Sequence, residues 1–327
     1  MLTMRNISMT FPGVKALQNV DFTLRKGEIH ALMGENGAGK STLIKVLNGV
    51  HSRDSGDIFL NGKQINNHSP QEAQDNGIST VFQEVNLCAN LSVAENIFAG
   101  HEPLNKFHAI DWKKMNMSAR EILHYVGLEN IDVTKSLGDY SVAMQQMVAI
   151  ARAVHFDCQV LILDEPTSSL DDHEVENLFN VMRNLKADGV GIIFVTHFLE
   201  QVYALCDRIT VLRNGELQGE FPIADLPRQK LVATMLGHEF DELASIRSGE
   251  EAEEKASDKG EVIKAVALTH TGTIKPFELT IHKGEVIGLT GLLGSGRSEL
   301  ARVLYGADKA EGGELYFNGE ALKANEP

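Results

Sequence analysis

Eight residues near the amino end carry the densest chemical content in the sequence. Gly34-Glu-Asn36-Gly37-Ala38-Gly39-Lys40-Ser41, followed by Thr42, has the spacing GxxxxGK[ST]. Glycines at these places let the backbone curl until successive N–H groups converge on phosphate oxygens, and the positive end of a following helix adds to the pull. Lys40 then reaches the outer phosphates, and the Ser41 hydroxyl becomes a ligand for Mg²⁺. A glycine-rich turn with no ligand is the competing reading. It is disfavoured because an apolar run precedes the loop and a helical pattern follows it.

A second element lies far along the chain. Val160-Leu-Ile-Leu ends in Asp164-Glu165-Pro166-Thr167. An apolar strand that delivers two adjacent acids is unusual, because a buried carboxylate is costly without a partner. Beside a phosphate loop, Asp164 would hold Mg²⁺ and Glu165 would activate an attacking water. Without that loop, acids merely ending a strand in solvent would be the better reading.

These groups need elements to position them. Glu28 to Met33, Val160 to Leu163 and Gly191 to Val195 are short apolar runs, and Ser41 to Leu47 and His173 to Lys186 have helical spacing. Strands alternating with helices predict a mostly parallel sheet with helices on its faces. From about Asn90 to Gly138 no comparable strand occurs. Ser92-Val-Ala-Glu95 has capping-box spacing and Trp112 to Val126 is helical in period, so a helical insertion is expected there.

The chain also repeats itself. Lys26 to Ile65 aligns without a gap on Lys283 to Leu322, placing Gly34 on Gly291, Gly39 on Gly296, Gly49 on Gly306, Gly56 on Gly313 and Gly62 on Gly319. About 15 of about 40 positions are identical, and the period is that of a domain rather than a solenoid. The expected division is a first module over 1–240 with its helical part at about 86–140, a solvated linker over 241–260, and the front of a second module over 261–327. The linker reading rests on the Glu, Ser and Lys content of that stretch; a charged surface helix is its rival.

Composition removes several classes of function. At 327 residues and 43% hydrophobic content, the chain has material for a substantial core. A net charge of −15 gives it no global electrostatic reason to coat nucleic acid. No run approaches the ~20 apolar residues of a membrane span, and Met1 to Val20 does not read as a cleavable signal. Cys88, Cys158 and Cys206 are too scattered for a disulfide framework, and the histidines lack metal-ligand spacing.

With these elements in place, the sequence resembles the ATP-binding-cassette ATPases. Val81-Phe-Gln83-Glu is similar to that family's glutamine loop, Phe194-Val-Thr-His197 to its switch strand, and Ser169-Leu170-Asp171 to the loop that meets an opposing domain. The resemblance implies an α/β P-loop NTPase (RecA-like) nucleotide-binding domain with a helical subdomain, plus the N-terminal part of a second cassette. It implies ATP as ligand, with Gln83 sensing Mg²⁺ and the γ-phosphate, and His197 contacting the γ-phosphate. Phe11, in Phe11-Pro-Gly-Val-Lys-Ala-Leu17, occupies the place of an adenine-stacking aromatic, though an aromatic there is also an ordinary core residue. A lone strand-ending histidine or a polar loop glutamine would otherwise be unremarkable.

Two departures from the family pattern stand out. The signature segment LSGGQ is here Tyr140-Ser141-Val142-Ala143-Met144, expected just ahead of a helix over Gln146 to Ala153. Ser141 survives, but side chains replace both glycines where close backbone approach is wanted. The second loop, Gly291-Leu-Leu-Gly-Ser-Gly296-Arg297-Ser298, has Arg for Lys. Guanidinium still grips phosphate but is planar and bulkier, so weak or absent hydrolysis is expected there, with a nucleotide-free structural role as the alternative.

Together the duplicated cassette, GENGAGKSTL, the SVAxQQ signature and the Arg-substituted loop look like the tandem ATPases of bacterial monosaccharide importers, with SVAMQQMVAIARA, LILDEPTSSLD and FVTHFLEQVY most similar to the galactofuranose type. That resemblance implies a peripheral position at the cytoplasmic face of the bacterial inner membrane. The implied partners are transmembrane permease subunits docking on the insertion, a periplasmic sugar-binding protein acting through them, and an opposing ABC domain or second copy. The chain stops at Pro327 within the second cassette, so slow hydrolysis by the isolated polypeptide is expected. The rival readings are a soluble cassette acting as a regulator or scaffold, for instance on ribosomes, and an inactive fragment.

Overall fold

Alternation of buried side chains shows how the strands are used in the computed structural model. It describes residues 1–82, 87–155, 157–168, 170–237, 260–270, 274–290 and 295–322. In chain order the first unit, Met1–Leu243, runs β1 (Leu2–Phe11), β2 (Val14–Leu24), β3 (Ile29–Met33), α1 (Lys40–Leu47), β4 (Ser55–Leu60), β5 (Lys63–Ile65), α2 (Pro70–Asp75), β6 (Ile78–Val81), α3 (Val93–Phe98), α4 (Trp112–Tyr125), α5 (Val142–Val154), β7 (Val160–Asp164), α6 (Asp172–Ala187), β8 (Gly191–Val195), α7 (Leu199–Leu205), β9 (Arg208–Arg213), β10 (Glu216–Pro222) and α8 (Arg228–Leu236).

One sheet has the order β10-β9-β3-β8-β7-β6. Its pairs are parallel except for the β9–β10 hairpin. Ile29, Ala31 and Met33 of β3, Leu161 and Leu163 of β7, and Ile192 and Phe194 of β8 face one core, which they share with the helical insertion. Leu32, Ile162, Ile193 and Val195 face a second core with α1 and the antiparallel sheet β2-β1-β4-β5. A sheet covered on both sides buries nearly every strand position, which is why β7 and β8 read as near-continuous apolar runs, while the buried His30 of β3 contacts Thr210 and Arg208.

The insertion forms as its spacing predicts. Ser92 and Glu95 make the reciprocal cap of α3, and α4 buries Met115, Ala119 and Leu123. No helix among the described residues is long and apolar enough to cross a membrane.

The second unit, Ala244–Pro327, holds β11 (Glu261–His270), β12 (Ile274–His282), α9 (Arg297–Tyr305), β13 (Gly312–Phe317) and β14 (Glu320–Ala321). Its sheet order, β12-β11-β13-β14, repeats β2-β1-β4-β5 of the first unit. Left-handed residues recur in register too: Gly49 and Gly306, Gly56 and Gly313, Asn61 and Asn318. In the first unit the strand before the phosphate loop, β3, is held between β8 and β9. Its sequence equivalent, residues 286–290, pairs with no strand among the described residues, and Val286 is 96% exposed. The stretch expected to be a linker lies, except for Gly260, outside the described residues.

Candidate nucleotide site

The phosphate loop is a tight fit between strand and helix. Gly34 leaves β3 at φ 152°, and Gly37 and Gly39 are also left-handed, at 83° and 105°. A Cβ on Gly34 would lie 2.2 Å from the Leu212 carbonyl oxygen. Gly37 instead has open space around it, where a ligand can approach. Gly34→Ala is expected to cost about 1–3 kcal/mol of stability through this clash and the Gly-only backbone, seen as a lower midpoint in denaturant melts.

Lys40 opens α1 and is buried. Its ammonium donates to the carbonyl oxygens of Gly34 and Glu35 at 2.6 and 3.0 Å. Burial lowers its pKa, and the nearby Glu165 and Asp164 pull it back up. Asp164 ends β7; its pKa is raised by burial and by Glu165, against the attraction of Lys40 and His197. Glu165 takes a left-handed φ of 50°, its amide donating to the Val195 carbonyl of β8 at 2.9 Å. Its carboxylate meets His197 Nε2 at 2.5 Å. Two carboxylates, an ammonium and an imidazole from three separate stretches thus converge at the C-terminal ends of parallel strands, where α/β sheets bind their ligands.

A cavity of about 560 Å³ opens over the loop. Phe11, Lys15, Asn36, Lys40, Glu165 and Asn214 are among the residues in its wall. Phe11 is part-buried against the antiparallel-sheet core and meets His51 edge-to-face at 5.3 Å. The protein supplies few donors for a metal: no cluster of three acids, histidines or cysteines occurs among the described residues. The Ser41 hydroxyl and the Asp164 carboxylate are hard oxygen donors beside unbalanced negative charge. They suit a Mg²⁺ ion completed by phosphate oxygens and water rather than an all-protein cage.

The remaining expected residues fare differently. Ser141 caps α5, its hydroxyl accepting from the Met144 amide at 3.3 Å. The helix therefore begins at Val142, four residues before the expected Gln146. Val142 and Ala143 are ordinary helix formers where the family has glycines, and the Ser141 cap lets the first turn close over them. Val142 is 54% exposed. Asp171 is engaged in a capping box with Glu174 at the start of α6. Gln83, Ser169 and Gly291 lie outside the described residues. In the second unit Gly296 caps α9 in a left-handed conformation, and Arg297 and Ser298 are exposed on its first turn.

The props of the loop leave no local signal in the sequence. The Asn214-Gly215 turn of the β9–β10 hairpin sits beneath the loop: the Gly215 amide donates to the Ala38 carbonyl, and Gln18 bonds to the turn. Gln201 Oε1 accepts from the hydroxyls of both Thr167 and Thr196, tying the turn after Glu165 to the end of β8. An Asn-Gly pair between strands marks a hairpin in sequence, but not what the hairpin touches.

A family model described as ABC transporter matches residues 17–168 and 274–327. The chain belongs to the ABC transporter family. Both cassette segments are matched, and the P-loop NTPase fold is shared with solved cassettes. One is MJ1267, an ATP-binding cassette of an ABC transporter in its ADP conformation, at 28% identity and TM-score 0.64, covering 73% of this chain and 99% of that one. Another is the dimeric post-hydrolysis state of the ATP-binding cassette MJ0796 bound to ADP and Pi, at 26% identity and TM-score 0.59, covering 68% of this chain and 99% of that one.

Among curated relatives, the fructose import ATP-binding protein FruK of Bifidobacterium longum is 49% identical over the whole of this chain and 63% of its own length. The galactofuranose transporter ATP-binding protein YtfR of Escherichia coli is 50% identical over the whole chain and 64% of its own length. The chain thus spans a little under two thirds of the length of the curated relatives it matches.

Proposed function

We propose that this cassette binds Mg-ATP at the Lys40 loop and hydrolyses it to drive import of a monosaccharide. The observation that carries the proposal is the convergence of the Lys40 ammonium, the Asp164–Glu165 pair and His197 at one end of the parallel sheet, beside a cavity walled by Phe11. Relatives named for fructose, galactofuranose, ribose and arabinose support a sugar cargo. Permease subunits, an opposing cassette or second copy, and a periplasmic binding protein acting through the permease are the proposed partners. The proposed location is the cytoplasmic face of the inner membrane.

The residues divide the work. Amides of residues 36–42 and the N-terminus of α1 receive phosphate oxygens, and Lys40 exchanges its bonds to the loop carbonyls for the outer phosphates. Phe11 offers a face for the base. When bound, Mg²⁺, with Ser41 and Asp164 as its protein donors, neutralises phosphate charge. Glu165, fixed by its strained backbone and by His197, takes the proton of the attacking water. Arg297 is proposed to hold nucleotide in the second unit without supporting efficient turnover.

Calorimetry with ATP and Mg²⁺ tests the reading. Saturable binding is expected, weakened about 10- to 100-fold in Lys40→Ala, the worth of one or two charge-assisted bonds to phosphate. Absence of nucleotide binding by folded protein would remove the proposal.

A further inference from the structure

Between α3 and α4 the chain makes a small, internally hydrogen-bonded hairpin with an unusual surface. Leu104 and Ile110 form an antiparallel bridge. Asn105 organises the tip: its amide donates to the Ala109 carbonyl at 2.8 Å, and its side-chain oxygen accepts from the Phe107 and Ala109 amides at 2.8 and 3.2 Å. The Asp111 amide closes the base onto the Pro103 carbonyl at 2.7 Å. So fixed, the hairpin still turns large apolar groups to solvent: Phe107 is 89% exposed, Leu104 55%, Trp112 51% and Ile110 36%.

Cations are interleaved with them. Lys106, Lys113 and Lys114, next to Phe107 and Trp112 in sequence, are exposed as well. The acids adjoining them in sequence bond to local backbone: Asp111 caps α4 through the Lys114 amide, and Glu102 accepts from the Gly100 amide. This segment is cationic within a chain of net charge −15.

The composition discriminates between partners. Protein interfaces are enriched in aromatics but depleted in lysine. The headgroup layer of a bilayer favours both, because an aromatic ring sits at the boundary while lysine pairs with anionic lipid. We propose that the 103–114 hairpin seats on anionic lipid headgroups, with Phe107 and Trp112 entering the interface and Lys106, Lys113 and Lys114 paired to lipid charge. The proposal stands independently of nucleotide chemistry, since none of these residues lines the nucleotide cavity.

Trp112 is the chain's single tryptophan, so emission excited at the red edge, where the tyrosines do not absorb, reports on this site alone. With vesicles of mixed phosphatidylglycerol and phosphatidylcholine, Trp112 emission is expected to shift to the blue, to be quenched by brominated acyl chains, and to return as salt screens the attraction. Lysine near an anionic surface contributes about fivefold each to binding, so replacing all three by Gln should weaken partitioning by about two orders of magnitude. Phe107→Asp should remove insertion; its exposure means the fold is unaffected, and unchanged ATP binding checks that. Emission unmoved by anionic vesicles overturns the proposal. So does an equal response to pure phosphatidylcholine at high salt, or a response to detergent-solubilised membrane protein but not to lipid.

Discussion

Glu165→Gln is expected to lower turnover of ATP about 10²- to 10⁴-fold while leaving ATP affinity within a few-fold of the parent. The amide is isosteric, so the left-handed backbone and the bond to the Val195 carbonyl persist. Its oxygen still accepts from His197, which contacts the carboxylate in the parent. What disappears is basicity alone. Lys40 and the loop amides, the proposed phosphate ligands, are untouched. Phosphate release and calorimetry on the same preparation separate the two effects, under conditions in which the parent turns over. A variant that hydrolyses normally would show that Glu165 is not the base. One that loses binding as well would make it a structural anchor of the loop instead.

The loop residues and the acid pair of the proposed site were legible in sequence because short-range spacing sets them, whereas His197 and Phe11 stood out only through the family resemblance. The loop glycines, Lys40 and Ser41 fall within one turn and the helix after it, and Asp164 and Glu165 end an apolar run. The two-sided burial of β3, β7 and β8 was legible for the same reason: a strand covered on both faces shows no alternation. The supports were not legible. Asn214 reaches Gln18 across most of the first unit, and Gln201 joins two threonines that sequence leaves unrelated. Such contacts depend on which strands become neighbours, and that is a property of topology rather than of any local pattern. The start of α5, four residues ahead of the expected Gln146, has a related reason. The family pattern drew attention to missing glycines, whereas Ser141 followed by Val, Ala and Met is simply a good helix start.

A second large effect is expected far from the loop, at the opposite end of β3. Arg208 of β9 pairs with Glu28 and with Glu220 and donates to the Thr23 carbonyl oxygen at 2.9 Å. It also meets His30 Nδ1 at 3.1 Å, and the His30 Nε2 atom lies 2.7 Å from Thr210 Oγ1. Glu28, His30, Arg208 and Thr210 are all buried. Burial alone would raise the Glu28 pKa, but the contacts of His30, Arg208 and the Arg25 amide outweigh it and hold the group at about 2. Replacing Arg208 by Met removes the compensating charge and strands a buried carboxylate, so a loss of about 3–5 kcal/mol is expected. The pH dependence follows from the sign of that shift. A depressed carboxyl contributes stability that is complete above its ordinary value of 4.5 and is lost as pH falls through about 2. Without Arg208 the carboxyl titrates higher, so acid unfolding of the variant should begin at a higher pH than in the parent. Denaturant melts from neutral to acid pH measure both. Because paired removal of a buried ion pair is far less costly than removal of one partner, Glu28→Leu combined with Arg208→Met should recover much of the loss. If the single variant melts like the parent at neutral pH, the network carries no stability, and β3 is held by its apolar faces alone.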